Sequence, residues 1–394
     1  IWILMKKIVI FSLESIANGG DQMLGDTTEF LISDANDVKI SRAQLMPRDT
    51  QFVKDNYLKV AISHIAFSIA EKLPDFFKYR LYNWGYKFRY SSYYKSVISK
   101  ADKIIFGIGM LKYSTQDFSY MFECINKIAT KMNVPVLMSA MSVEKPIESD
   151  YRFRQVVRAV NYPCVKAITT RDGQKGLDRL RKHYIKRDSL KFDFVGDPAL
   201  WAPECYGIRK GSLHTPAKLG IGLVRTDIYE DYKNDVSKEQ LENMYRELIR
   251  LVIEDGRFDF YLFCNGMERD IEFGRQLIKE FNLPESKLLE KPKTAKELLE
   301  LVSGFDLVFG ARLHACITSV SLGVPVSGLL WDNKLDYFSE TMGIRDYFND
   351  APEVNGRCVY AKLKAAFEHP LDCDNRNNYK EKTKNSLQQF AQNS

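Results

Sequence analysis

Short apolar runs alternate with segments of helical periodicity along the whole chain. Apolar runs bounded by glycine, proline or polar residues predict buried strands, and apolar residues spaced three or four apart predict helices. Their regular alternation predicts an α/β protein built on parallel sheets. In the first half the pattern predicts strands at Lys7–Ser12, Lys103–Gly107, Val134–Ser139, Val165–Thr170 and Lys191–Val195, and helices at Asp117–Lys131 and Asp172–Arg181.

A second α/β set follows a break in this pattern. The first set ends at Val195-Gly196-Asp197-Pro198, and residues 206–217 have little periodicity, which predicts a linker. The second half has predicted strands at Leu219–Arg225, Phe258–Cys264, Leu288–Glu290, Leu307–Phe309 and Val324–Leu329, and helices at Lys238–Glu254, Arg269–Phe281, Ala295–Ser303 and Leu313–Leu322.

These elements predict two Rossmann-like domains that face each other across a cleft. The first covers residues 1–205 and the second residues 218–377, with the linker between them. Residues 378–394 are predicted to hold a helix that returns to the first domain.

Composition and charge narrow the class of ligand. The chain has 394 residues, of which 45% are hydrophobic and 27% charged, as in ordinary globular proteins. Its net charge of +6 fits an anionic ligand or an acidic membrane surface, but 57 basic against 51 acidic residues do not indicate nucleic-acid binding. Seven scattered cysteines predict reduced thiols in a cytosol, and five histidines without ligand spacing predict no metal site.

One segment departs from the ordinary composition. Phe76 to Lys95 contains ten aromatic and five basic residues and no acidic residue. Such a segment can form a helical lid whose aromatic side chains cover the core. It can equally contact a membrane surface or stack on a sugar. Both interpretations stay open, and the overall charge balance argues against nucleic acid.

The strongest candidates for chemistry stand where predicted strands end. Arg312 and His314 follow the strand Leu307–Phe309, and in an extended or tightly turned segment their side chains would point the same way. A permanent cation beside a titratable group suits an anionic substrate that must exchange a proton. Arg225 closes the first strand of the second half, and Lys334 follows the strand Val324–Leu329. The alternatives are a structural histidine, an Arg225 paired with Asp227, and a solvated lysine.

A glycine-bearing segment, Asn18 to Asp26, follows the first strand. It offers the free N–H groups of a helix start to an anion or a sugar hydroxyl, but it has the spacing of neither a dinucleotide fingerprint nor a P-loop. A plain turn is the alternative.

In three separate places the chain resembles the polysaccharide pyruvyl transferases. These are Asn18–Asp26, Phe194–Ala199, and Gly310–His314 with Gly323-Val324-Pro325 and Trp331–Lys334. The resemblance implies a GT-B-like fold, an acceptor-side first domain and a donor-side second domain. It also implies a transferase that moves enolpyruvate from phosphoenolpyruvate to a sugar, forming a pyruvate ketal. The family's two arginines and histidine around the donor fall on Arg225, Arg312 and His314.

The same resemblance leaves other roles as hypotheses. Lys334 is assigned to the donor, while Asn18, Asp21 and Asp197 are assigned to the acceptor side or to the general base. Phosphoenolpyruvate is the donor substrate and no cofactor is predicted. The acceptor is a surface glycan or its lipid-linked precursor, which places the protein in the cytoplasm, peripherally at the inner face of the membrane, with Phe76–Lys95 as the candidate membrane contact.

Two other function classes stay open. One is a nucleotide-sugar glycosyltransferase of the same architecture, for which Glu272 and Glu280 have the Glu-x7-Glu spacing of retaining enzymes, although inside a predicted helix. The other is a catalytically silent homologue that binds glycan, against which the three charged donor residues argue.

Overall fold

The computed structural model describes residues 5–13, 19–33, 38–47, 50–231, 235–265, 267–369 and 371–393. The chain divides into two compact units by its internal contacts. Unit 1 comprises Ile1–Ile16, Thr28–Gly196 and Thr383–Ser394, and unit 2 comprises Ala17–Thr27 and Asp197–Lys382. The boundary between the units therefore falls after Gly196, before the linker predicted at residues 206–217. In addition, Ala17–Thr27 joins unit 2 although it lies early in the chain, and Thr383–Ser394 joins unit 1 although it lies at the end.

Unit 1 is built on a parallel sheet. Its strand order is β2-β1-β3-β5-β6-β7, with the short β4 paired to β5. β5 is buried over its whole length, as expected for a strand covered on both faces. The strands are β1 (Lys6–Ser12), β2 (Val38–Gln44), β3 (Lys103–Phe106), β4 (Met110–Leu111), β5 (Val136–Val143), β6 (Val165–Thr170) and β7 (Lys191–Phe194).

Helices connect these strands. They are α1 (Gly19–Ser33), α2 (Thr50–Asp55), α3 (Tyr57–Ala70), α4 (Asp75–Ile98), α5 (Gln116–Lys131), α6 (Tyr151–Val160) and α7 (Gly173–Arg179), which continues as a π turn over Leu180–Tyr184. The first part of α1, up to Thr27, belongs to unit 2. The end of the chain is anchored in this unit, because Lys103 Nζ donates hydrogen bonds to the carbonyl oxygens of Phe390 and Ala391 at 2.7 and 3.1 Å.

Unit 2 contains a second parallel sheet, of order β12-β11-β10-β8-β9. Its strands are β8 (Ala217–Gly222), β9 (Phe258–Phe263), β10 (Leu307–Gly310), β11 (Val326–Leu329) and β12 (Phe348–Asn349). A 3₁₀ turn (Pro198–Trp201) precedes helix α8. The helices are α8 (Ala202–Tyr206), α9 (Ile228–Asp231), α10 (Lys238–Asp255), α11 (Glu268–Glu280), α12 (Ala295–Ser303), α13 (Leu313–Leu322), α14 (Asn333–Thr341), α15 (Gly356–Glu368) and α16 (Cys373–Gln392). The part of α16 from Thr383 onward belongs to unit 1.

Most predicted elements are confirmed, and the departures have local causes. β6, α12 and α13 have the predicted bounds. The strand predicted at Leu288–Glu290 is wrong, because only a single bridge joins Leu288 to Leu262 there. The edge strand β2 went unpredicted, since its burial alternates weakly and its sequence is largely polar.

Helix α4 contains the aromatic segment and buries one face of it. Tyr82, Tyr90 and Tyr94 are buried, and the Tyr94 hydroxyl donates a hydrogen bond to the Leu45 carbonyl oxygen at 2.7 Å. This face fits the helical-lid interpretation. Among the described helices, none is both long and apolar enough to cross a membrane.

The segment predicted as a linker is anchored to the sheet of unit 2. Lys210 Nζ and His214 Nδ1 lie 2.8 and 2.9 Å from the carboxylate of Asp306, which is fully buried just before β10. Burial alone would raise the pKa of Asp306, but hydrogen bonds, led by the one from Lys210, outweigh it and hold the pKa below its usual range.

Replacing Asp306 by Asn is therefore expected to destabilise unit 2 by roughly 2–4 kcal/mol at neutral pH, because Lys210, His214 and two backbone N–H groups lose a charged acceptor at a buried position. A carboxylate with a depressed folded-state pKa stabilises the fold above its unfolded pKa and loses that contribution as the pH falls through the folded value. The difference in unfolding free energy between the unmodified protein and the Asp306→Asn variant should thus be constant near neutrality and shrink below about pH 4. Urea unfolding across pH measures it, with the exposed Asp188→Asn as control; a difference that grows in acid would contradict the assignment.

Candidate functional site

The candidate site lies at the carboxyl ends of the central strands of unit 2, where the order in which strands are added to the sheet reverses. β9 and β10 lie on opposite sides of β8, so the carboxyl ends of β8 and β10 form a topological switch point, the usual ligand position in open α/β sheets. Arg225 follows β8, Arg312 follows β10, and Lys334 follows β11, the next strand along. The structure therefore places three cations predicted from sequence after three adjacent parallel strands.

Arg312 is fixed by a buried carboxylate. Its backbone is extended, as the residue preceding helix α13, and its Nε and Nη2 atoms lie 2.5 and 2.7 Å from the two carboxylate oxygens of Asp270. Asp270 is fully buried, so this two-point contact sets both the position and the plane of the guanidinium. The Nη1 edge of Arg312 is not used by Asp270.

Asp270 also connects the exits of two strands. Its Oδ1 atom accepts the backbone N–H of Arg225 at 2.9 Å, in addition to the hydrogen bond from Arg312. The strand end itself is held as well, because the buried Tyr245 hydroxyl donates to the Gly222 carbonyl oxygen at 3.0 Å. The loops after β8 and β10 are thus tied to a single side chain in the first turn of α11.

The guanidinium of Arg225 faces other carboxylates. Its Nη1 atom donates to Asp227 at 2.8 Å, and Asp231 is a second partner. Arg269 also pairs with Asp227, at 2.6 Å. Burial alone would raise the pKa of Asp227, but the hydrogen bond from Arg269 and the charge of Arg225 outweigh it and hold the pKa below its usual range. The Asp227 pairing considered from sequence is therefore present.

His314 is the second residue of helix α13, the helix predicted at Leu313–Leu322, so Arg312 and His314 do not share one extended segment. Its ring lies directly against Gly20, the second residue of α1: a Cβ at Gly20 would lie 2.1 Å from Nδ1 and 2.4 Å from Cγ. Only glycine fits at this approach. The Nδ1 edge faces Gly20, and the Nε2 atom is shielded from solvent.

Of the residues predicted for the acceptor side, Asp21 is closest in sequence to this contact. It is buried in the first turn of α1, immediately after Gly20. Asn18 lies outside the described residues. Asp197 is buried and caps the 3₁₀ turn Pro198–Trp201 by accepting the Ala199 N–H at 2.8 Å. That turn packs against helix α13.

Lys334 is the second residue of helix α14, and the loop before this helix is bonded to the neighbouring loop after β10. Trp331 Nε1 donates to the Ala311 carbonyl oxygen at 2.6 Å, joining the exits of β11 and β10. Asp332 caps α14 by accepting the Lys334 N–H at 3.1 Å. The Lys334 side chain is half-buried and forms no ion pair with a described residue.

Sequence patterns alone did not reveal Asp270 or the contact of Gly20 with His314. An acidic residue in the first turn of a helix is common, so Asp270 carried no special signal. Gly20 and His314 are brought together only by the fold. A search for acidic residues near the ends of strands that flank a switch point would have included Asp270.

Two other sequence candidates are resolved by burial and position. Cys316, two residues after His314, could be taken from sequence for a nucleophile, but it is fully buried beside Gly310 and burial raises the pKa of its thiol, as for a core residue. Glu272 and Glu280 are exposed on helix α11, and Glu280 pairs with Arg246 at 2.9 Å, far in sequence from a strand exit. Over the described ranges, no three His, Cys, Asp or Glu side chains cluster as a metal site would require.

Comparison with known proteins places the sequence in a family. The sequence profile of the polysaccharide pyruvyl transferases matches residues 20–333, which include every candidate except Asn18 and Lys334. No curated protein matches the chain in sequence.

Solved structures share the fold. UDP-GlcNAc 2-epimerase from Methanocaldococcus jannaschii is 12% identical with a TM-score of 0.60, covering 99% of this chain and 100% of that chain. The enzyme from Neisseria meningitidis, bound to UDP-GlcNAc, is 11% identical with a TM-score of 0.59 and the same coverage. At such identity the likeness concerns the fold alone, which is GT-B-like with two Rossmann-type parallel sheets.

The pairing of Asp270 with Arg312 is testable by a double-mutant cycle. Asp270→Asn is expected to lower the unfolding free energy by about 1–3 kcal/mol, because the Arg312 guanidinium then faces a neutral amide in place of a buried carboxylate. Combined with Arg312→Gln, the two changes should couple by at least about 1 kcal/mol in urea unfolding. The more exposed pair Arg345 and Asp350 is the control, with an expected coupling below about 1 kcal/mol. Independent effects of Asp270 and Arg312 would show that the contact does not hold the loop.

Proposed function

The chain belongs to the polysaccharide pyruvyl transferase family, and on that premise we propose that it moves enolpyruvate from phosphoenolpyruvate to a sugar of a surface polysaccharide or its precursor. The product is a pyruvate ketal, and phosphate is released. The observation that carries the proposal is the position of Arg312, held by buried Asp270 beside His314 at the switch point of unit 2.

The donor is assigned to the free edge of Arg312. Phosphoenolpyruvate carries a phosphate and a carboxylate on one small molecule, and a guanidinium binds either group through paired N–H donors. Asp270 occupies the Nε side of Arg312, which leaves the Nη1 side for the donor. Lys334 adds a positive charge after the adjacent strand. Arg225 can contribute its guanidinium only by exchanging its contacts with Asp227 and Asp231 for the donor.

His314 is assigned as the general acid. A proton added to the donor's methylene carbon makes the central carbon electrophilic; one sugar hydroxyl then forms a C–O bond to it. A second hydroxyl then replaces the phosphate, which departs with the electron pair of its C–O bond. The two protons lost by the hydroxyls equal the proton added to the methylene carbon and the proton gained by the released phosphate. Because Nδ1 faces Gly20, we assign the transfer to Nε2, and the donor must displace the groups that shield this atom.

The base that removes the hydroxyl protons is assigned to Asp21 ahead of Asp197. Asp21 is preferred because it is buried and directly follows Gly20, against which the His314 ring lies. Asn18 is kept as a residue of the acceptor side. The proposal includes no cofactor and no metal. The acceptor is a glycan or lipid-linked oligosaccharide, and the proposed location is the cytoplasmic face of the cell membrane.

The test is incubation of the purified protein with phosphoenolpyruvate and candidate lipid-linked oligosaccharides, following phosphate release and the mass of the acceptor. Acceptor-dependent phosphate release together with an acceptor heavier by one pyruvate ketal is expected. Release of nucleotide from a sugar nucleotide, with no use of phosphoenolpyruvate, would instead identify a glycosyltransferase. Absence of both reactions across the acceptor panel would favour a silent glycan-binding protein.

His314→Ala is expected to retain the fold and to lower turnover by about 10²–10⁴-fold, the usual contribution of general acid catalysis. The thermal shift caused by phosphoenolpyruvate should persist, because Arg312 remains. His369→Ala, at an exposed histidine of the same unit, is the control and should keep full turnover. Near-normal turnover of the His314 variant would remove the general-acid role.

A further inference from the structure

Helices α3 and α4 of unit 1 form a hairpin with two different kinds of surface. Inside it, Phe67 of α3 contacts the rings of Tyr82 and Tyr86 at 5.1 and 4.6 Å between centroids. Gly85 permits this approach, since a Cβ there would lie 2.6 Å from the Phe67 ring. The aromatic residues of this inner face are thus accounted for by packing.

The outer surface of the same hairpin is apolar and exposed. On α4, Phe77, Trp84 and Phe88 recur at helical spacing and are 57%, 48% and 37% exposed. The Trp84 and Phe88 rings stack on each other with centroids 5.4 Å apart. On α3, the exposed large side chains are Tyr57, Leu58, Ile65 and Ile69. Large apolar side chains that cluster on a surface mark an interaction site.

The charge of the chain is concentrated in the same region. Residues 50–100 contain nine basic and three acidic side chains, a net charge of +6. The whole chain also carries +6, so the remaining residues are balanced at 48 basic and 48 acidic. Arg80, Lys87 and Lys95 are exposed on α4, and the guanidinium of Arg80 lies 4.2 Å from the Phe76 ring centroid.

We propose that the outer surface of the α3–α4 hairpin docks the protein onto an anionic phospholipid bilayer. Aromatic side chains with flanking lysine and arginine are typical of helices that lie in a membrane interface. The positive charge complements anionic headgroups, and the apolar side chains enter the boundary with the acyl chains. Single-stranded nucleic acid fits less well, because Leu58, Ile65 and Ile69 offer no stacking surface for bases.

The inference adds a lipid-binding surface to the proposed location of the protein. It rests on the proposed function in one respect only, because the lipid-linked acceptor is what gives the protein a reason to be at a membrane. A lipid-linked acceptor is confined to the bilayer, and a docked enzyme meets it in two dimensions. The hairpin belongs to unit 1 and contains none of the donor-site residues. Lipid binding and pyruvyl transfer can therefore fail independently of each other.

Cosedimentation with vesicles tests the docking directly, without substrate. The full chain should bind vesicles of phosphatidylcholine mixed with phosphatidylglycerol at least about tenfold more tightly than phosphatidylcholine alone, and added salt should weaken binding. The fluorescence of Trp84 should shift to the blue on binding, and that shift should disappear in Trp84→Phe.

Two pairs of variants separate the apolar and the charged contributions. Trp84→Ala with Phe88→Ala should weaken binding by at least about tenfold, and Lys87→Gln with Lys95→Gln by roughly 25-fold, since each charge near an anionic surface contributes about fivefold. The controls are Ile147→Ala with Leu213→Ala, and Lys182→Gln with Lys186→Gln, at exposed positions outside the hairpin. Circular dichroism checks the fold of every variant.

The docking proposal is overturned by any of three results. The protein could fail to bind anionic vesicles, bind neutral and anionic vesicles alike, or bind equally after the hairpin and the control substitutions. Self-association in solution that is abolished by Trp84→Ala with Phe88→Ala, without lipid binding, would instead assign this surface to a second copy of the chain.

Discussion

The carboxylate of Asp270 is the constraint on which the candidate site depends. A buried negative charge is stable only with partners, and Asp270 has two: the guanidinium of Arg312 and the backbone N–H of Arg225. Because these residues follow β10 and β8, one side chain fixes the relative position of two strand exits. The remaining edge of the Arg312 guanidinium is thereby held in one orientation before any ligand arrives. In the proposed reaction this edge binds the donor, and the fixed orientation lowers the entropic cost of binding.

A second constraint fixes the position of His314. The His314 ring rests on Gly20, and the space there admits no side chain on the glycine. A residue from the start of the chain thus positions a residue of helix α13, within a single compact unit. In the proposed reaction the consequence is that Arg312 orients the donor while His314 faces it through Nε2. Asp21 directly follows Gly20 and is therefore the acidic residue assigned to accept the hydroxyl protons in that reaction.

Sequence reasoning captured the parts of this protein that depend on local pattern. Buried parallel strands are largely apolar runs, so β3 and β10 were predictable, and Arg312 and His314 followed from the end of β10. Asp270 was not predictable, because its role comes from a distant partner and its position at a helix start is ordinary. The aromatic segment was ambiguous for a physical reason: α4 buries one face and exposes the other, so the lid and surface interpretations apply to different residues of one helix.

The most direct test of the central claim is a crystal structure of the protein with phosphoenolpyruvate. The phosphate or carboxylate is predicted to lie within hydrogen-bond distance of Arg312 Nη1, with Asp270 still on the opposite edge and the methylene carbon toward His314. Phosphoenolpyruvate bound elsewhere, or bound with Arg312 released from Asp270 and turned away from the donor, would contradict the assignment of this site.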